Sequence, residues 1–142
     1  FMSTQESWIH QNVKDRIVEA TERETSLIFR PLRNTARVAR NEVSVKVVDM
    51  LNEGAQFEDV RELVAGVRGR EVYESGDLDA GIWSVGMVQG LIQDVPSARE
   101  LVERMVAGAE EIINGRLKGF VSKPPSMKGP ADSAGPCSSP RS

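Results

Sequence analysis

The chain has 142 residues, which suffices for one ordinary domain and is too short for two. Eighteen lysines and arginines against 21 aspartates and glutamates leave a net charge of −3, so no general field attracts nucleic acid or an anionic membrane. One histidine and one cysteine exclude an intrachain disulfide and any metal site that needs two histidines or several cysteines.

The sequence also argues against a membrane or secreted protein. No apolar run reaches the roughly 18 residues that a membrane span needs, and the first residues do not read as a secretory signal. We therefore expect a cytoplasmic protein without nucleic-acid or membrane partners and without a bound metal.

The first predicted element is a helix that begins near Asn12. Val13, Ile17 and Val18 recur at helical spacing, and asparagine is a residue type that caps helix N-termini. The single histidine, His10, lacks any cysteine, serine or carboxylate arrangement that would mark it as a catalytic base. We interpret it as a surface residue or as one at the start of this helix.

A short apolar run follows at residues 25–29. Its length and the proline at position 31 favour a buried strand over a helix. The sequence offers this strand no ladder partner. We therefore expect the chain to lack the rest of a sheet.

Four arginines come next, at spacings of three, four and three residues. They are Arg30, Arg33, Arg37 and Arg40. On a helix that begins at Pro31 they would form one stripe, and guanidinium groups bind carboxylates and phosphates through paired hydrogen bonds. The favoured alternative is a set of structural ion pairs with acidic side chains of neighbouring helices.

Two further apolar stripes predict helices that end at glycine residues. The first stripe consists of Val43, Val47, Val48 and Leu51, and Gly54 follows it. The second consists of Phe57, Val60, Leu63 and Val64, and ends near Gly66.

Asp77 and Asp79 lie between two glycines and weakly resemble a calcium-binding loop. The twelfth position of such a loop would be Val88 rather than the glutamate that calcium requires. We therefore predict that these aspartates cap a helix N-terminus.

Residues 80–92 are the least polar stretch of the chain. Its glycines allow close approach by another helix or by a flat ligand; they are Gly81, Gly86 and Gly90. Trp83, Met87 and Gln89 bring an aromatic ring, a thioether and an amide, groups that suit a cofactor face. From the residues alone, a buried helix packed through its small residues is the favoured interpretation.

The longest predicted helix covers residues 97–119. Its apolar residues form one stripe, made of Ala98, Leu101, Val102, Met105, Val106, Ala109, Ile112, Ile113 and Leu117. Ser97 with Glu100 three residues later matches a capping box. We expect this helix to pack by one side onto something larger.

Residues 122–142 contain five of the seven prolines and six serines. With almost nothing apolar to bury, this segment cannot offset the entropy of ordering it. We predict a disordered tail rather than a recognition motif, with Cys137 incidental to it. The folded part is then residues 1–121.

Three stretches resemble, in the same order, the C-terminal part of the nitronate monooxygenase family, whose close relatives act as NADH:quinone reductases. The stretches are residues 27–41, residues 67–73 (Val-Arg-Gly-Arg-Glu-Val-Tyr) and residues 76–92. Residues 1–7 are similar to the end of the family's phosphate-side strand and loop. The resemblance covers roughly residues 1–119.

The resemblance implies a mainly α chain that is the C-terminal segment of an FMN-dependent TIM (β/α)8 barrel. Only the last strand or strands would be present, residues 27–29 being the eighth, with the family's extra C-terminal helices after them. Gly86, Met87 and Gln89 become flavin-side contacts. The segment that carries the family's catalytic histidine is not in this sequence, so we predict no catalytic residue here.

Two functions stay open at this point. The first is the C-terminal segment of an FMN-dependent oxidoreductase that acts on a small molecule, oxidising alkyl nitronates with O2 or reducing quinones with NAD(P)H, and that is inactive without the rest of the barrel. Its partner would be the N-terminal barrel half, or another copy bound through apolar faces of residues 13–18, 27–29 and 80–92. The second is a non-catalytic helical remnant or a protein-interaction module.

Overall fold

The structure, a computed structural model, describes residues 1–120. In chain order the elements are α1 (Gln11–Glu19), β1 (Thr25–Ile28), β2 (Ala36–Ala39), α2 (Glu42–Asn52), α3 (Phe57–Val60), α4 (Gly66–Ser75), a 3₁₀ helix (Met87–Leu91) and α5 (Ala98–Glu111). A π-helical turn (Ile112–Arg116) and a 3₁₀ turn (Leu117–Phe120) follow α5. The predicted tail, residues 122–142, lies outside the described residues.

The contacts divide the chain into two units, Phe1–Arg104 and a second that begins at Met105. The first contains both strands and α1 to α4. None of the helices within residues 1–120 has the length and apolar character that a membrane span requires.

The predicted strand is confirmed, but the prediction that it has no partner is wrong. β1 and β2 pair antiparallel, with Thr25 opposite Ala39 and Ile28 opposite Ala36. A strand of the barrel has parallel neighbours. The antiparallel pairing of this hairpin is therefore not the pairing expected of residues 27–29 as the eighth barrel strand.

The arginine-bearing helix predicted from Pro31 onward is also wrong, because these residues form the turn and the second strand of the hairpin. The backbone N–H of Leu32 and that of Asn34 both donate to the Phe29 carbonyl, at 3.1 and 3.3 Å. Phe29 and Arg33 adopt positive φ angles of 60° and 56°, which a right-handed helix does not contain. The three-and-four spacing of the arginines therefore does not correspond to a helix face.

The hairpin lies between two apolar cores. Successive residues of a strand point to opposite faces, and in β2 Val38 belongs to one core while Ala39 belongs to the other. The first core consists of Ile28, Val38, Val43, Val47, Leu51 and Val60. The second consists of Ile9, Val13, Ile17, Ala39, Val72 and Trp83.

Two helix predictions are confirmed, with one change of cap. α1 forms, but its N-cap is His10 rather than Asn12, since the imidazole Nδ1 accepts the Asn12 backbone N–H at 3.2 Å. His10 is thus a helix-start residue. α2 forms where predicted, and Gly54 follows it with φ of 99°.

The stripe at residues 57–64 is helical only at its beginning. α3 ends at Val60, and Gly66, predicted to end the helix, begins α4 instead. Ala65 is in an extended conformation, and its carbonyl accepts the Arg68 N–H at 3.0 Å. This break in the chain direction directly before Gly66 separates the two helices.

The last helix begins as predicted and ends earlier. The Ser97 hydroxyl accepts the Glu100 backbone N–H at 3.2 Å, which confirms the serine half of the predicted capping box. The Glu100 carboxylate accepts from Arg104 at 2.6 Å, and α5 ends at Glu111 instead of 119. Seven members of the predicted stripe are exposed: Val102, Met105, Val106, Ala109, Ile112, Ile113 and Leu117. The helix was expected to pack by one side onto something larger, but among the described residues most of this stripe is uncovered.

Asn41 joins the start of α2 to residues 77–81. Its side-chain oxygen accepts the Ser44 N–H at 2.8 Å, and its amide nitrogen donates to the carbonyls of Leu78 and Gly81 at 2.7 and 2.8 Å. Asp79 accepts the backbone N–H of Glu42 at 2.9 Å. The predicted capping role is confirmed for Asp79, whose target is α2. Asp77 instead accepts the backbone N–H of Asp79 at 3.0 Å, within a turn.

Replacing Asn41 by alanine is expected to lower the free energy of unfolding by about 2–3 kcal/mol, because a cap and two hydrogen bonds to part-buried carbonyls are lost. Asn41→Asp keeps the acceptor that caps α2 but turns a carboxylate oxygen toward the two carbonyls, so its loss is expected to be at least as large as that of the alanine variant. Urea unfolding followed by circular dichroism measures both. Asn52→Ala, at the exposed end of α2, is the matched control, and an equal loss there would contradict the prediction.

Gly76 ends α4 in the left-handed conformation, with φ of 76°. A Cβ at this position would overlap the imidazole of His10, so Gly76→Ala is expected to destabilise the fold by more than about 1 kcal/mol. A Cβ at Gly66 meets no atom within 4 Å, so Gly66→Ala should leave the melting temperature unchanged or slightly raised. Thermal melts of both variants compare the two sites, and a Gly76→Ala melt equal to wild type would refute the expectation.

Candidate functional site

Residues 80–92 do not form the buried helix favoured by their composition. Ser84 makes an antiparallel bridge to Val38, and the Trp83 carbonyl accepts the Ala39 N–H at 3.0 Å. Residues 82–84 therefore run extended beside β2, and only Met87–Leu91 is helical, as a 3₁₀ helix. The backbone bonds to the hairpin are incompatible with a continuous helix.

The predicted close approaches are found at two of the three glycines. A Cβ on Gly81 would lie 2.6 Å from the Arg68 backbone in α4, and one on Gly90 would lie 2.8 Å from the backbone nitrogen of Glu22. The Arg68 guanidinium also donates to the Ala80 carbonyl at 2.7 Å. Both ends of the segment are thus packed against other residues of the first unit.

Gln89 points into the protein. Its side chain is 2% exposed, and its amide nitrogen donates to the Thr21 carbonyl at 2.9 Å. Thr21 is itself fixed, because its N–H donates to the Glu24 carboxylate at 2.7 Å. The same carboxylate forms an ion pair with Arg16 at 2.7 Å. The Thr21 backbone and then the Arg16 guanidinium lower the pKa of Glu24. Gln89 therefore anchors the 3₁₀ helix through a short polar network.

The opposite side of the 3₁₀ helix is exposed and apolar. Met87, Val88 and Leu91 all present their side chains to the surface, and we call these three residues the apolar ledge. Gly86, directly before it, is extended, with φ of −97° and ψ of 170°. A Cβ on Gly86 would meet nothing closer than the Val88 nitrogen at 4.0 Å.

Gly86 and the ledge adjoin each other in the sequence and are both accessible. An open backbone, a polarizable thioether and two aliphatic side chains are suitable contacts for a flavin ring. The internal hydrogen bond of Gln89 makes this residue a support for the ledge, while Gly86 and Met87 are accessible. As flavin contacts, all three stay predictions.

The four arginines do not make a joint anion site. Arg37 lies in β2 and donates to the Thr25 hydroxyl, while Arg30 and Arg33 lie in the hairpin turn. Within residues 1–120 none of the four forms an ion pair with a carboxylate. Nor does any group of three His, Cys, Asp or Glu side chains lie together there as a metal site would require.

Comparison with known proteins decides the family. A sequence model of nitronate monooxygenase matches residues 1–108. The chain belongs to the nitronate monooxygenase family. The resemblance found in the three short stretches of sequence is thereby confirmed.

Solved structures agree with this family assignment. The structure of FabK from Thermotoga maritima superposes with a TM-score of 0.74 and 28% identity, covering 84% of this chain and 37% of that one. A point mutant of the same FabK gives a TM-score of 0.67 and 25% identity, with 84% and 35% covered. The chain described here thus spans little more than a third of the length of FabK.

The fold class expected from the resemblance is confirmed as well. The described residues are mainly helical, with a two-stranded sheet, and the matched region is a segment of a TIM-barrel enzyme. Members of the nitronate monooxygenase family are in general flavin-dependent.

Sequence reasoning missed one concave surface of this family member. Trp8, Tyr73 and Trp83 line a cleft of about 550 Å³ together with Val64 and Ile82, and we call it the aromatic cleft. The Trp8 and Tyr73 rings meet edge to face with centroids 6.2 Å apart. These residues come from distant parts of the sequence and no periodicity links them, so only the fold brings them together.

Tyr73 is the single tyrosine of the chain and has a perturbed hydroxyl. Burial raises its pKa above the usual 10.0, and a hydrogen bond with the Ser84 backbone acts in the opposite direction. The unfolded chain therefore ionises first as the pH rises. Stability contributed by neutral Tyr73 is present below the unfolded pKa and is lost above it.

The tyrosinate absorbance near 295 nm measures this directly, since only one tyrosine contributes. We expect the midpoint of the folded protein to lie above about 10, and the midpoint in urea to return to about 10. Trp8→Ala removes the aromatic neighbour of Tyr73 and should lower the folded midpoint by reducing burial. Identical midpoints in the folded and unfolded states would contradict the burial of this hydroxyl.

Proposed function

We propose that the chain is the C-terminal segment of an FMN-dependent oxidoreductase of the nitronate monooxygenase type, and that the apolar ledge contacts the flavin ring. FMN, when bound, supplies the capacity to accept and donate electrons. The reaction is the oxidation of alkyl nitronates with O2, or the reduction of quinones with NAD(P)H. The chain supplies one wall of the cofactor site and no catalytic residue.

The single observation that carries this proposal is the two-sided construction of the 3₁₀ helix. Its inner side is fixed by the buried Gln89, whose amide is bonded to Thr21. Its outer side exposes Met87, Val88 and Leu91. A rigid support beneath exposed apolar groups is what a binding wall requires, because little entropy is lost when the ligand arrives.

The rest of the barrel is the partner that this proposal requires, and self-association through exposed apolar residues is the outcome expected without it. The surfaces differ from those predicted, because Val13, Ile17 and Ile28 are buried within the chain. Residues 13–18 and 27–29 therefore offer no large apolar face, whereas residues 87–91 do. Exposed Phe1 and Met2 add to the apolar surface of the first unit.

A non-catalytic interaction module is the second candidate. It is favoured by the two apolar cores and the capped helices of the first unit, which resemble those of an independently folding domain. A sharp melt of a monomer that takes up no FMN would support it.

Titration of FMN with the purified chain, followed by quenching of FMN fluorescence, tests the proposed function. We expect saturable binding that is weakened about tenfold in Val88→Ala, because the substitution removes two methylene-sized groups from the contact, each worth about 0.8 kcal/mol. Val67→Ala is the matched control, since Val67 on α4 is similarly exposed, at 74% against 67% for Val88. The chain alone should show no turnover of NADH with a quinone or of an alkyl nitronate.

Two other results would contradict the proposed flavin contact at the ledge. Binding that is equally affected in both valine variants would place the flavin away from the ledge. Absence of saturable FMN binding by the wild-type chain would refute the cofactor contact and favour the interaction module.

A further inference from the structure

The pair Asn114–Gly115 lies in the π-helical turn that follows α5. The chain has five asparagines, and Asn114 is the one that a glycine follows. The residues after the others all carry side chains; they are Val13, Thr35, Glu42 and Glu53. Glycine has no Cβ to crowd its own backbone nitrogen and adopts the widest range of backbone angles. The backbone nitrogen of Gly115 is therefore the least hindered of those that follow an asparagine.

The surroundings of this pair are open. Asn114 and Gly115 are both exposed, and a Cβ on Gly115 would meet no atom within 4 Å. By contrast, the amide of Asn12 donates to the Gly76 carbonyl at 3.3 Å, and that of Asn41 donates to the Leu78 carbonyl at 2.7 Å. Those two side chains are held in place, whereas no packed neighbour hinders the approach to Gly115.

The turn Ile112–Arg116 is an irregular end to α5. Its hydrogen bonds span five residues rather than four, as from the Leu117 N–H to the Ile112 carbonyl, and π-helical turns are rare in proteins. None of its five residues is buried, so opening the turn exposes no core. Segments with few buried contacts open locally at a low cost in free energy.

We propose that Asn114 is a site of spontaneous deamidation. When the turn opens, the backbone nitrogen of Gly115 gives up its proton and attacks the side-chain carbonyl carbon of Asn114. A new N–C bond forms, the bond from that carbon to the side-chain nitrogen breaks, and this nitrogen takes up a proton and leaves as ammonia. The cyclic imide that results adds one water and opens to aspartate or isoaspartate. No electrons are transferred, and water is the co-reactant.

The products change the end of the helix in two ways. Both replace a neutral amide by a carboxylate two positions before Arg116. Isoaspartate also routes the main chain through the former side chain, which lengthens the backbone by one methylene, so the bond from Leu117 to Ile112 cannot keep its register. The reaction involves neither FMN nor the ledge and goes beyond the proposed function.

Incubation of the purified full chain at mildly alkaline pH, followed by digestion and mass spectrometry, tests the proposal. We expect the peptide that contains Asn114 to gain the mass difference between an amide NH2 and a hydroxyl, in two products of equal mass that chromatography separates. The rate should rise with pH, because the attacking nitrogen must lose its proton. Asn34 and Asn52, both exposed, are controls within the same digest and should stay unchanged.

Gly115→Ala tests the part played by the glycine. The added methyl group crowds the attacking nitrogen and favours the helical conformation, so Asn114 should stay intact over the period in which half of the wild-type chain is converted. Gly66→Ala is the matched control, because a Cβ there also meets no atom within 4 Å, and it should react at the wild-type rate.

A parallel incubation in urea measures how far the fold protects the site. Since the turn opens at low cost, the folded and unfolded chains should react at rates of the same order. Four results would overturn the proposal: an Asn114 that stays intact in the folded chain, a folded rate far below the rate in urea, equal conversion at Asn34 or Asn52, or equal rates in the two alanine variants. The samples contain no flavin, so the FMN titration tests the proposed function separately.

Discussion

The arrangement of the first unit depends on the backbone bonds that hold residues 82–84 against β2. One strand of four residues supplies a side chain to each of two cores, and its outer edge receives the extended segment through Ala39 and Ser84. A two-stranded hairpin alone is marginally stable in water. Here the cores on both faces stabilise it, and in return it sets the direction from which the chain enters the 3₁₀ helix.

Polar side chains hold the extended segment at both of its ends. Asn41 binds the carbonyls of Leu78 and Gly81 before the extended segment, and Gln89 binds Thr21 after it. The segment is therefore fixed at its entry, along its middle and at its exit. The ledge and the aromatic cleft owe their positions to the same short stretch of backbone.

Sequence reasoning succeeded where local chemistry decides the structure. The apolar period of α2, the glycine that follows it and the serine cap of α5 are local signals, and each was predicted correctly. The family was recognised from three short stretches because their residues and order match, which requires no knowledge of packing.

The errors arose where distant contacts override local pattern. The arginines from Arg30 to Arg40 have helical spacing, yet pairing with β1 makes residues 36–39 a strand. Residues 80–92 were too apolar to reveal that their backbone would bond to β2. For the candidate site, Gly86 and Met87 were found to be accessible, whereas the inward direction of Gln89 depends on Thr21, sixty-eight positions away, and no periodicity encodes that contact.

The clasp between the start of the chain and α5 has a consequence for folding kinetics. Gln5 donates its N–H to the Pro96 carbonyl at 3.0 Å, and Glu6 accepts the N–H of Ala98 at 2.8 Å. Lys14, almost fully buried, fixes the same loop by donating to the Ser7 carbonyl at 2.8 Å. Closing a loop of this length costs chain entropy before any contact repays it. On this entropy argument we expect the clasp to form after the locally encoded α1 and α2.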